Sequence, residues 1–165
     1  MAHADGSAAL PGDPEADRNW LNAAIDLSRK CPVSESAFSV GAVLVSADGD
    51  VIATGYSRET GPQDHAEEVA LRRAPGAGLD GATLYSSLEP CLRRASRPVS
   101  CAELIVASGL RRVVIAWLEP PVFQPGGGAA WLTARGVAVV HLPDLAEAAR
   151  SPNAHLISPA RRPTQ

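Results

Sequence analysis

The 165-residue sequence has few cysteines, little net charge and no long apolar run. Three cysteines are too few for the disulfide framework of a small secreted protein, so metal binding or catalysis becomes the better explanation for them. A net charge of −3 and an isoelectric point near 5.8 argue against electrostatic nucleic-acid binding, which needs a basic surface. No segment approaches the roughly 20 apolar residues that cross a bilayer, so no membrane segment is predicted.

The ends of the chain differ in composition from its centre. Residues 1–12 are small, polar and punctuated by glycine and proline, which is typical of disorder. They lack the basic start and apolar stretch of a secretory signal, so we expect a soluble, cytoplasmic protein. A single domain is expected over residues 13–155, followed by a loose tail at 156–165.

The pattern of apolar residues predicts an α/β fold. A first helix begins with Asp13 as N-cap and Pro14 in its first turn, and a hairpin over residues 38–57 turns at Asp48-Gly49. The elements that follow are a helix capped by Asp64, a strand at 82–88, a helix at 101–109 ending at Gly109, a strand at 111–118, a helix at 126–136, a strand at 137–142 and a helix at 143–151. This alternation predicts a three-layer α/β/α sandwich around a five-stranded, mixed and largely parallel sheet.

Three candidate metal ligands occur where strands give way to helices. His65 opens the helix after the hairpin, Cys91 follows the strand at 82–88, and Cys101 opens the next helix. Sheets of this kind bind ligands near the carboxyl ends of their strands, so these side chains should meet. One imidazole and two thiolates suit Zn²⁺ and leave a fourth tetrahedral position for water, as in catalytic zinc sites. Cys31 could complete a structural site only if the end of the first helix reached over.

Glu67, two residues after His65, is the candidate general acid and base. Zinc lowers the pKa of bound water to about 7, and a nearby carboxylate can take that proton and pass it to a substrate. Zinc deaminases carry H-x-E followed by P-C-x-x-C, with the glutamate not a ligand. Here HAE stands at 65–67 and PC at 90–91, with nine residues before the second cysteine. Glu68 is the alternative, because residues two apart do not share a helix face, although this objection weakens at a helix start.

The motifs HAE and LEPC resemble those of the cytidine deaminase superfamily. The stretches AFSVGAVLV, ATGYSRE, DHAEEVAL and LEPPVF resemble the pyrimidine deaminases of riboflavin biosynthesis, above all the stand-alone or fungal-type form, over about residues 17–150. The resemblance implies a cytidine deaminase-like fold and a homodimer. It implies zinc held by His65, Cys91 and Cys101, with Glu67 as the proton shuttle.

The same resemblance implies a substrate. It is a diaminopyrimidinone with a ribosylamino or ribitylamino 5′-phosphate, which loses its 2-amino group by hydrolysis. The sequence departs from the family pattern before the second cysteine, where Ser100 replaces the usual proline and Pro98 is displaced.

Five polar residues are candidate substrate contacts: Arg58, Glu89, Arg93, Arg94 and Arg97. The last three lie in the basic loop between the two cysteines, and guanidinium groups suit a phosphate. Arg58 follows a strand at the expected mouth of the site, and Glu89 precedes Pro90. The glycines at 126–128 lack the lysine and hydroxyl residue of a P-loop, so we interpret them as a strand-to-helix turn.

Several alternatives stay open. The chemistry also fits cytidine, deoxycytidine monophosphate, guanine or a pyrimidine of secondary metabolism, although the basic loop favours a phosphorylated substrate. A non-catalytic zinc module would have no use for Glu67. A metal-free scheme with Cys91 as nucleophile and His65 as base gives Cys101 no role. We therefore predict a zinc-dependent aminohydrolase of a small heterocycle that binds neither nucleic acid nor membranes.

Overall fold

The computed structural model describes residues 12–76 and 79–157. The helices are α1 (Pro14–Ser28), α2 (Ala66–Arg73), α3 (Cys101–Ser108), α4 (Gly128–Ala134), α5 (Ala146–Arg150) and α6 (Ala154–Ile157). The strands are β1 (Gly41–Val45), β2 (Val51–Tyr56), β3 (Thr83–Ser86), β4 (Arg112–Ile115) and β5 (Ala138–His141). Short 3₁₀ turns occupy Pro143–Leu145 and Ser151–Asn153.

The two predicted terminal segments fall mostly outside the described residues. This applies to residues 1–11 of the predicted disordered segment and to residues 158–165 of the predicted tail. Leu156 belongs to α6 and is buried, so the helical part of the fold extends two residues beyond the boundary predicted at 155.

The five strands form one mixed sheet in the order β2-β1-β3-β4-β5. Strands β3, β4 and β5 are parallel, whereas β1 runs antiparallel to both β2 and β3. Four strands of this sheet therefore run in the same direction and β1 runs the opposite way, which agrees with the predicted mixed, largely parallel sheet. The five-stranded mixed sheet itself is confirmed.

Helices cover both faces of this sheet. Gly41 of β1 lies against α1, and Gly55 of β2 lies against α2. Gly55 pairs with Ala42, the neighbour of Gly41, and successive residues of a strand point to opposite faces. Helix α5 contacts α1, while α3 contacts α2 and α4. The predicted three-layer sandwich is therefore confirmed.

The helix ends show where local sequence decides structure and where it does not. The Asp13 carboxylate caps α1 by accepting from the Glu15 N–H at 3.1 Å, and Gly109 ends α3 in the left-handed region at φ 84°, both as predicted. The prediction of Asp64 as the cap of α2 is wrong, because His65 occupies that position. The Asp64 carboxylate instead accepts hydrogen bonds from side chains that include Arg72.

The sheet topology determines where a site can form. All residues of β1 and β3 are buried, as expected for central strands covered on both faces. Strands β3 and β4 are parallel neighbours, so the loops after them leave the same edge of the sheet. The described residues include no helix of the length and apolarity needed to cross a bilayer.

Candidate active site

The three predicted metal ligands converge at the carboxyl edge of the parallel strands. His65 is the N-cap of α2, Cys101 begins α3, and Cys91 lies in the loop after β3. The His65 Nδ1 atom lies 3.5 Å from each cysteine sulphur, and all three ligand atoms lie within 4.8 Å of one another. Cys31 stands apart, because its thiol donates to the Val40 carbonyl at 3.4 Å.

These distances fit a tetrahedral zinc ion. Zn–S bonds of about 2.3 Å and Zn–N bonds of about 2.0–2.1 Å, opened by a tetrahedral angle, place nitrogen and sulphur about 3.5 Å apart. Both cysteines are buried, which suits soft thiolate ligands shielded from water. The backbone N–H of Cys101 also donates to the Cys91 sulphur at 3.3 Å, a contact that stabilises a thiolate. The residues present therefore fit zinc.

The electrostatics of the two thiols are strongly asymmetric. A hydrogen bond from Cys101, together with the nearby His65, lowers the pKa of Cys91 to about 4 despite its burial. The same hydrogen bond and complete burial raise the pKa of Cys101. The hydrogen bonds from Cys101 thus favour the thiolate form of Cys91, which is the form that binds a divalent cation.

Glu67 faces the ligand cluster, whereas Glu68 turns away from it. Glu67 is buried and lines a cavity of about 260 Å³, and its Oε1 atom lies 2.8 Å from the Ser86 hydroxyl oxygen. Burial raises the pKa of Glu67, as does Cys91, while His65 opposes the shift. Glu68 accepts the His65 backbone N–H at 3.4 Å and pairs with arginines of the 93–97 loop. This geometry favours Glu67 over Glu68 as the proton carrier.

The arginine loop is fastened to the start of α2 by ion pairs. Arg94 lies 3.3 Å from the Glu68 carboxylate and donates to the Gln63 carbonyl at 2.7 Å. Arg97 lies 3.0 Å from Asp64 and 3.2 Å from Glu68. Two of the three predicted phosphate contacts are thus paired with acidic residues that flank His65, so they hold the loop beside the metal cluster.

Arg93 differs from the other two arginines. Its side chain is exposed and lines the cavity, and no ion pair joins it to the part of the chain that the structure describes. Among the predicted phosphate contacts it is therefore the cation with a guanidinium available for a ligand.

The two other predicted substrate contacts line the cavity but bind backbone groups. Arg58 donates to the carbonyls of Pro32 and Phe38 at 2.7–3.2 Å, and so supports the segment in front of β1. The carboxylate oxygens of Glu89 accept the backbone N–H groups of Glu119 at 3.0 Å and Ala129 at 2.8 Å. Both residues thereby fix the walls of the cavity, and direct contact with a substrate stays a prediction.

Residues 14–117 match the family described as the cytidine and deoxycytidylate deaminase zinc-binding region. The chain belongs to this family. The matched residues contain His65, Glu67, Cys91 and Cys101. The membership of the deaminase family that HAE and LEPC predict is confirmed, and so is the zinc cofactor.

Two relatives of this chain are named as pyrimidine deaminases. Diaminohydroxyphosphoribosylamino-pyrimidine deaminase of Schizosaccharomyces pombe is 39% identical over 131 residues, which cover 77% of this chain and 32% of that protein. The protein of the same name from Buchnera aphidicola subsp. Schizaphis graminum is 33% identical over 124 residues, covering 74% of this chain and 82% of that protein. The chain thus spans about a third of the yeast relative and most of the bacterial one.

A solved structure of a RibD protein has the same fold. Form 1 of RibD from Acinetobacter baumannii superposes with a TM-score of 0.73 at 32% identity, covering 85% of this chain and 38% of that chain. The predicted cytidine deaminase-like fold is therefore confirmed.

The cavity contains one carboxyl group that the sequence did not single out. Glu119, in the loop after β4, lines the same cavity as Glu67 and Cys91. Burial raises its pKa to about 8, with smaller contributions from Cys91 and two other carboxylates, Glu89 and Glu67. The motif LEPPVF contains Glu119, but only the folded structure shows that its side chain enters the cavity.

Proposed function

We propose that this protein is a hydrolytic deaminase of a diaminopyrimidinone that carries a ribosylamino or ribitylamino 5′-phosphate, a step of riboflavin biosynthesis. The observation that carries the proposal is the zinc-type cluster of His65, Cys91 and Cys101 with Glu67 in the adjoining cavity. The names of the relatives supply the substrate class.

The chain's own residues provide the proton transfers. Zinc held by the three ligands would supply a water molecule whose pKa is lowered towards neutrality. Glu67 is placed to take one proton from the water and give it to the ring nitrogen while the water oxygen bonds to the amino-bearing ring carbon. It would then take the second proton, from the new C–OH group, and give it to the amino group, so that the C–N bond breaks, ammonia departs and a carbonyl remains. Its raised pKa suits this work, since a carboxyl group that both takes and gives protons near neutral pH acts best with a pKa closer to 7.

Ser86 orients the proton carrier. Its hydroxyl oxygen lies 2.8 Å from the Glu67 carboxylate and also 2.8 Å from the Leu88 carbonyl. A hydroxyl group has one proton, so it donates to one of these acceptors at a time. When Glu67 is ionised it is the stronger acceptor, and the hydrogen bond then holds the carboxylate towards the ligand cluster.

We assign the phosphate subsite to Arg93, because Arg94 and Arg97 are paired with carboxylates. Arg93→Ala should raise KM for a phosphorylated substrate roughly tenfold, the loss expected for one charge-assisted hydrogen bond, and leave KM for the dephosphorylated compound unchanged. Arg111→Ala is the matched control, since Arg111 is exposed at the opposite end of β4. Equal effects of Arg93→Ala on both compounds would refute the assignment.

A panel of substrates tests the proposed reaction. Ammonia release from zinc-loaded protein should be measured with the ribosyl and ribityl diaminopyrimidinone phosphates, cytidine, deoxycytidine monophosphate and guanine. We expect a diaminopyrimidinone phosphate to have the highest kcat/KM, by at least roughly tenfold, because polar groups of a desolvated pocket reject rings that leave them unpaired. If ammonia were released only from another compound of the panel, the proposed deamination would stand and the proposed substrate would be wrong.

The assembly and location are also proposals. We propose a cytoplasmic homodimer, since family resemblance suggests a dimer and the free thiols suit a reducing compartment. Light scattering during size-exclusion chromatography, with and without zinc, should give the mass of two chains. A single-chain mass at micromolar protein would refute the dimer.

A further inference from the structure

One wall of the cavity is built by a segment that depends on distant side chains. Residues 32–39, which all belong to the described part of the chain, form neither helix nor strand and lead into β1. We call them the wall segment, because Ser36, Ala37 and Phe38 line the cavity of the proposed deaminase. Backbone groups outside regular secondary structure need hydrogen-bond partners elsewhere. Here distant side chains supply several of these partners, so the position of this wall depends on them.

Asn153 binds the backbone of Ser39 with both ends of its amide group. The Ser39 N–H donates to the Asn153 Oδ1 atom at 2.6 Å, and the Asn153 Nδ2 atom donates to the Ser39 carbonyl at 3.0 Å. Both residues are buried, so water does not readily replace these hydrogen bonds. Removing the amide would leave two backbone groups of the wall segment without their partners.

His155 binds the other end of the wall segment. Its Nε2 atom lies 2.8 Å from the Ser34 carbonyl oxygen, which can only accept, so the imidazole donates. Asn153 and His155 belong to consecutive turns, the 3₁₀ turn Ser151–Asn153 and α6. Leu156 of α6 is buried in the hydrophobic core and anchors these turns. The C-terminal turns therefore support the wall segment at two points.

Arg58 connects the same segment to the metal site. Its guanidinium donates to the Phe38 carbonyl at 3.1 Å and to the Ser39 hydroxyl at 2.9 Å. Its backbone N–H donates at 2.8 Å to the carbonyl of Asp64, the residue before the first metal ligand. Arg58 has a φ of 60°, a conformation that residues other than glycine rarely adopt and that persists only where surrounding contacts hold it. The wall segment is thus held from both the C-terminal turns and the metal site.

The groups that carry out the chemistry lie on other elements. The three metal ligands and Glu67 belong to α3, the loop after β3 and the start of α2. Phe38 of the wall segment packs edge-on against Phe123, with ring centroids 5.0 Å apart, and both rings line the cavity. Displacing the wall segment would therefore change the surface that encloses a bound heterocycle and leave the metal ligands and the proton carrier in place.

We propose that Asn153 and His155 are positioning residues for substrate binding, which act through the wall segment. This inference rests on the proposed function. Neither side chain lines the cavity formed by the described residues, so neither contacts a substrate held there. Their removal weakens the binding of the substrate and leaves the chemical step on bound substrate unchanged.

Steady-state kinetics with the diaminopyrimidinone phosphate, at equal zinc content, test the proposal. Asn153→Leu, which replaces the amide with an apolar group of the same branching, should raise KM roughly tenfold and keep kcat within about twofold. His155→Leu should raise KM roughly threefold, and His155→Gln, which keeps an N–H donor, should restore most of the loss. The matched controls are Asn22→Leu and His141→Leu, since Asn22 is exposed on α1 and His141 is exposed on β5.

The division between KM and kcat separates positioning from a structural role. Wild-type KM values in both leucine variants would overturn the inference. A fall confined to kcat, or a loss of zinc, would also overturn it, because these are signs of a general structural defect. If Asn153→Leu does not fold, the comparison of His155→Leu with His155→Gln decides, since His155 is only partly buried.

Hydrogen exchange and binding measurements keep the test independent of the proposed reaction. Without substrate, Asn153→Leu should speed amide exchange in the wall segment roughly tenfold and leave α2 unchanged. Unchanged exchange in the wall segment would refute the role of Asn153 for any substrate. In a Glu67→Gln background, Asn153→Leu should raise the dissociation constant of the diaminopyrimidinone phosphate as it raises KM. If both effects occur but the wild-type protein releases no ammonia, the proposed function alone is refuted.

Discussion

At the scale of single residues, chemistry depends on which side chain points inward. Glu67 and Glu68 are adjacent, yet one lies in the cavity and the other caps α2 and pairs with arginines. The division follows from the extended conformation of His65, at φ −92° and ψ 153°, which starts the helix after the metal ligand. In a regular helix, residues two apart do not share a face, but His65 precedes the first turn of α2. This restriction therefore does not apply to the H-x-E motif.

The cysteines give a prediction about metal content. Cys101→Ser should lower bound zinc from about one per chain to well under half, because serine replaces a buried thiolate ligand with a hydroxyl. Cys31→Ser is the matched control and should keep full zinc, since Cys31 lies outside the cluster. Elemental analysis after dialysis measures both. Equal zinc loss in the two variants would contradict the ligand assignment.

At the scale of elements, the start of α3 and the close contact between the segment before α4 and the loop after β3 position the residues of the site. Ser100 replaces the family's usual proline before the second cysteine, and here it caps α3 by accepting from the Glu103 N–H at 3.2 Å, while the Glu103 carboxylate accepts the Ser100 N–H at 2.8 Å. This capping box places Cys101 at the first position of the helix. The departure from the family pattern thus preserves the position of the ligand.

The glycine segment before α4 gives a second prediction. A Cβ atom at Gly128 would lie 1.9 Å from the Pro90 carbonyl oxygen, one residue before Cys91. Gly128→Ala should therefore lower the free energy of unfolding by about 2 kcal/mol or more and weaken zinc binding. Gly76→Ala is the control, because Gly76 is exposed and a Cβ atom there would meet no atom of the described residues within 4 Å. Urea unfolding and zinc titration measure both effects, and unchanged stability in Gly128→Ala would contradict this packing.

Most helices and strands could be predicted from local sequence, but the groups that each polar side chain pairs with could not. The α1 cap at Asp13 depends on neighbours within two residues, so the sequence alone identifies it. Asp64 looks equally suited to cap α2, yet its carboxylate pairs with Arg72, in the last turn of the same helix, and with Arg97 of the loop between the cysteines. The entry of Glu119 into the cavity is likewise a property of tertiary structure, because no local pattern shows where the loop after β4 directs its side chains.

At the scale of the whole molecule, a buried polar cluster joins α1 to the sheet. Asp17 of α1 accepts from Tyr85 of β3 at 2.7 Å and from Arg112 of β4 at 2.6–2.8 Å. Burial raises the pKa of Asp17, but the hydrogen bonds from Arg112 and Tyr85 outweigh it and hold the pKa below its ordinary value. The cluster connects one helical layer to two central strands on the side away from the zinc ligands' helices.

This cluster predicts the acid dependence of stability. A lowered folded-state pKa means that ionised Asp17 stabilises the protein fully above the ordinary aspartate pKa, and that this contribution is lost as pH falls through the lower folded value. Asp17→Asn should cost about 2 kcal/mol at neutral pH, and its difference from wild type should shrink towards acid pH. Urea unfolding over a pH series measures this. A pH-independent difference would contradict it.

The most direct test of the proposed chemistry compares Glu67→Gln with Glu68→Gln at matched zinc content, using ammonia release from the diaminopyrimidinone phosphates. Glu67→Gln should keep its zinc and lose activity by roughly 10²- to 10⁴-fold, because the proton carrier is gone. Glu68→Gln should retain most activity and lose some stability, since it weakens a helix cap and two ion pairs. Substantial ammonia release by Glu67→Gln, or its loss in Glu68→Gln alone, would show that Glu67 is not the proton carrier.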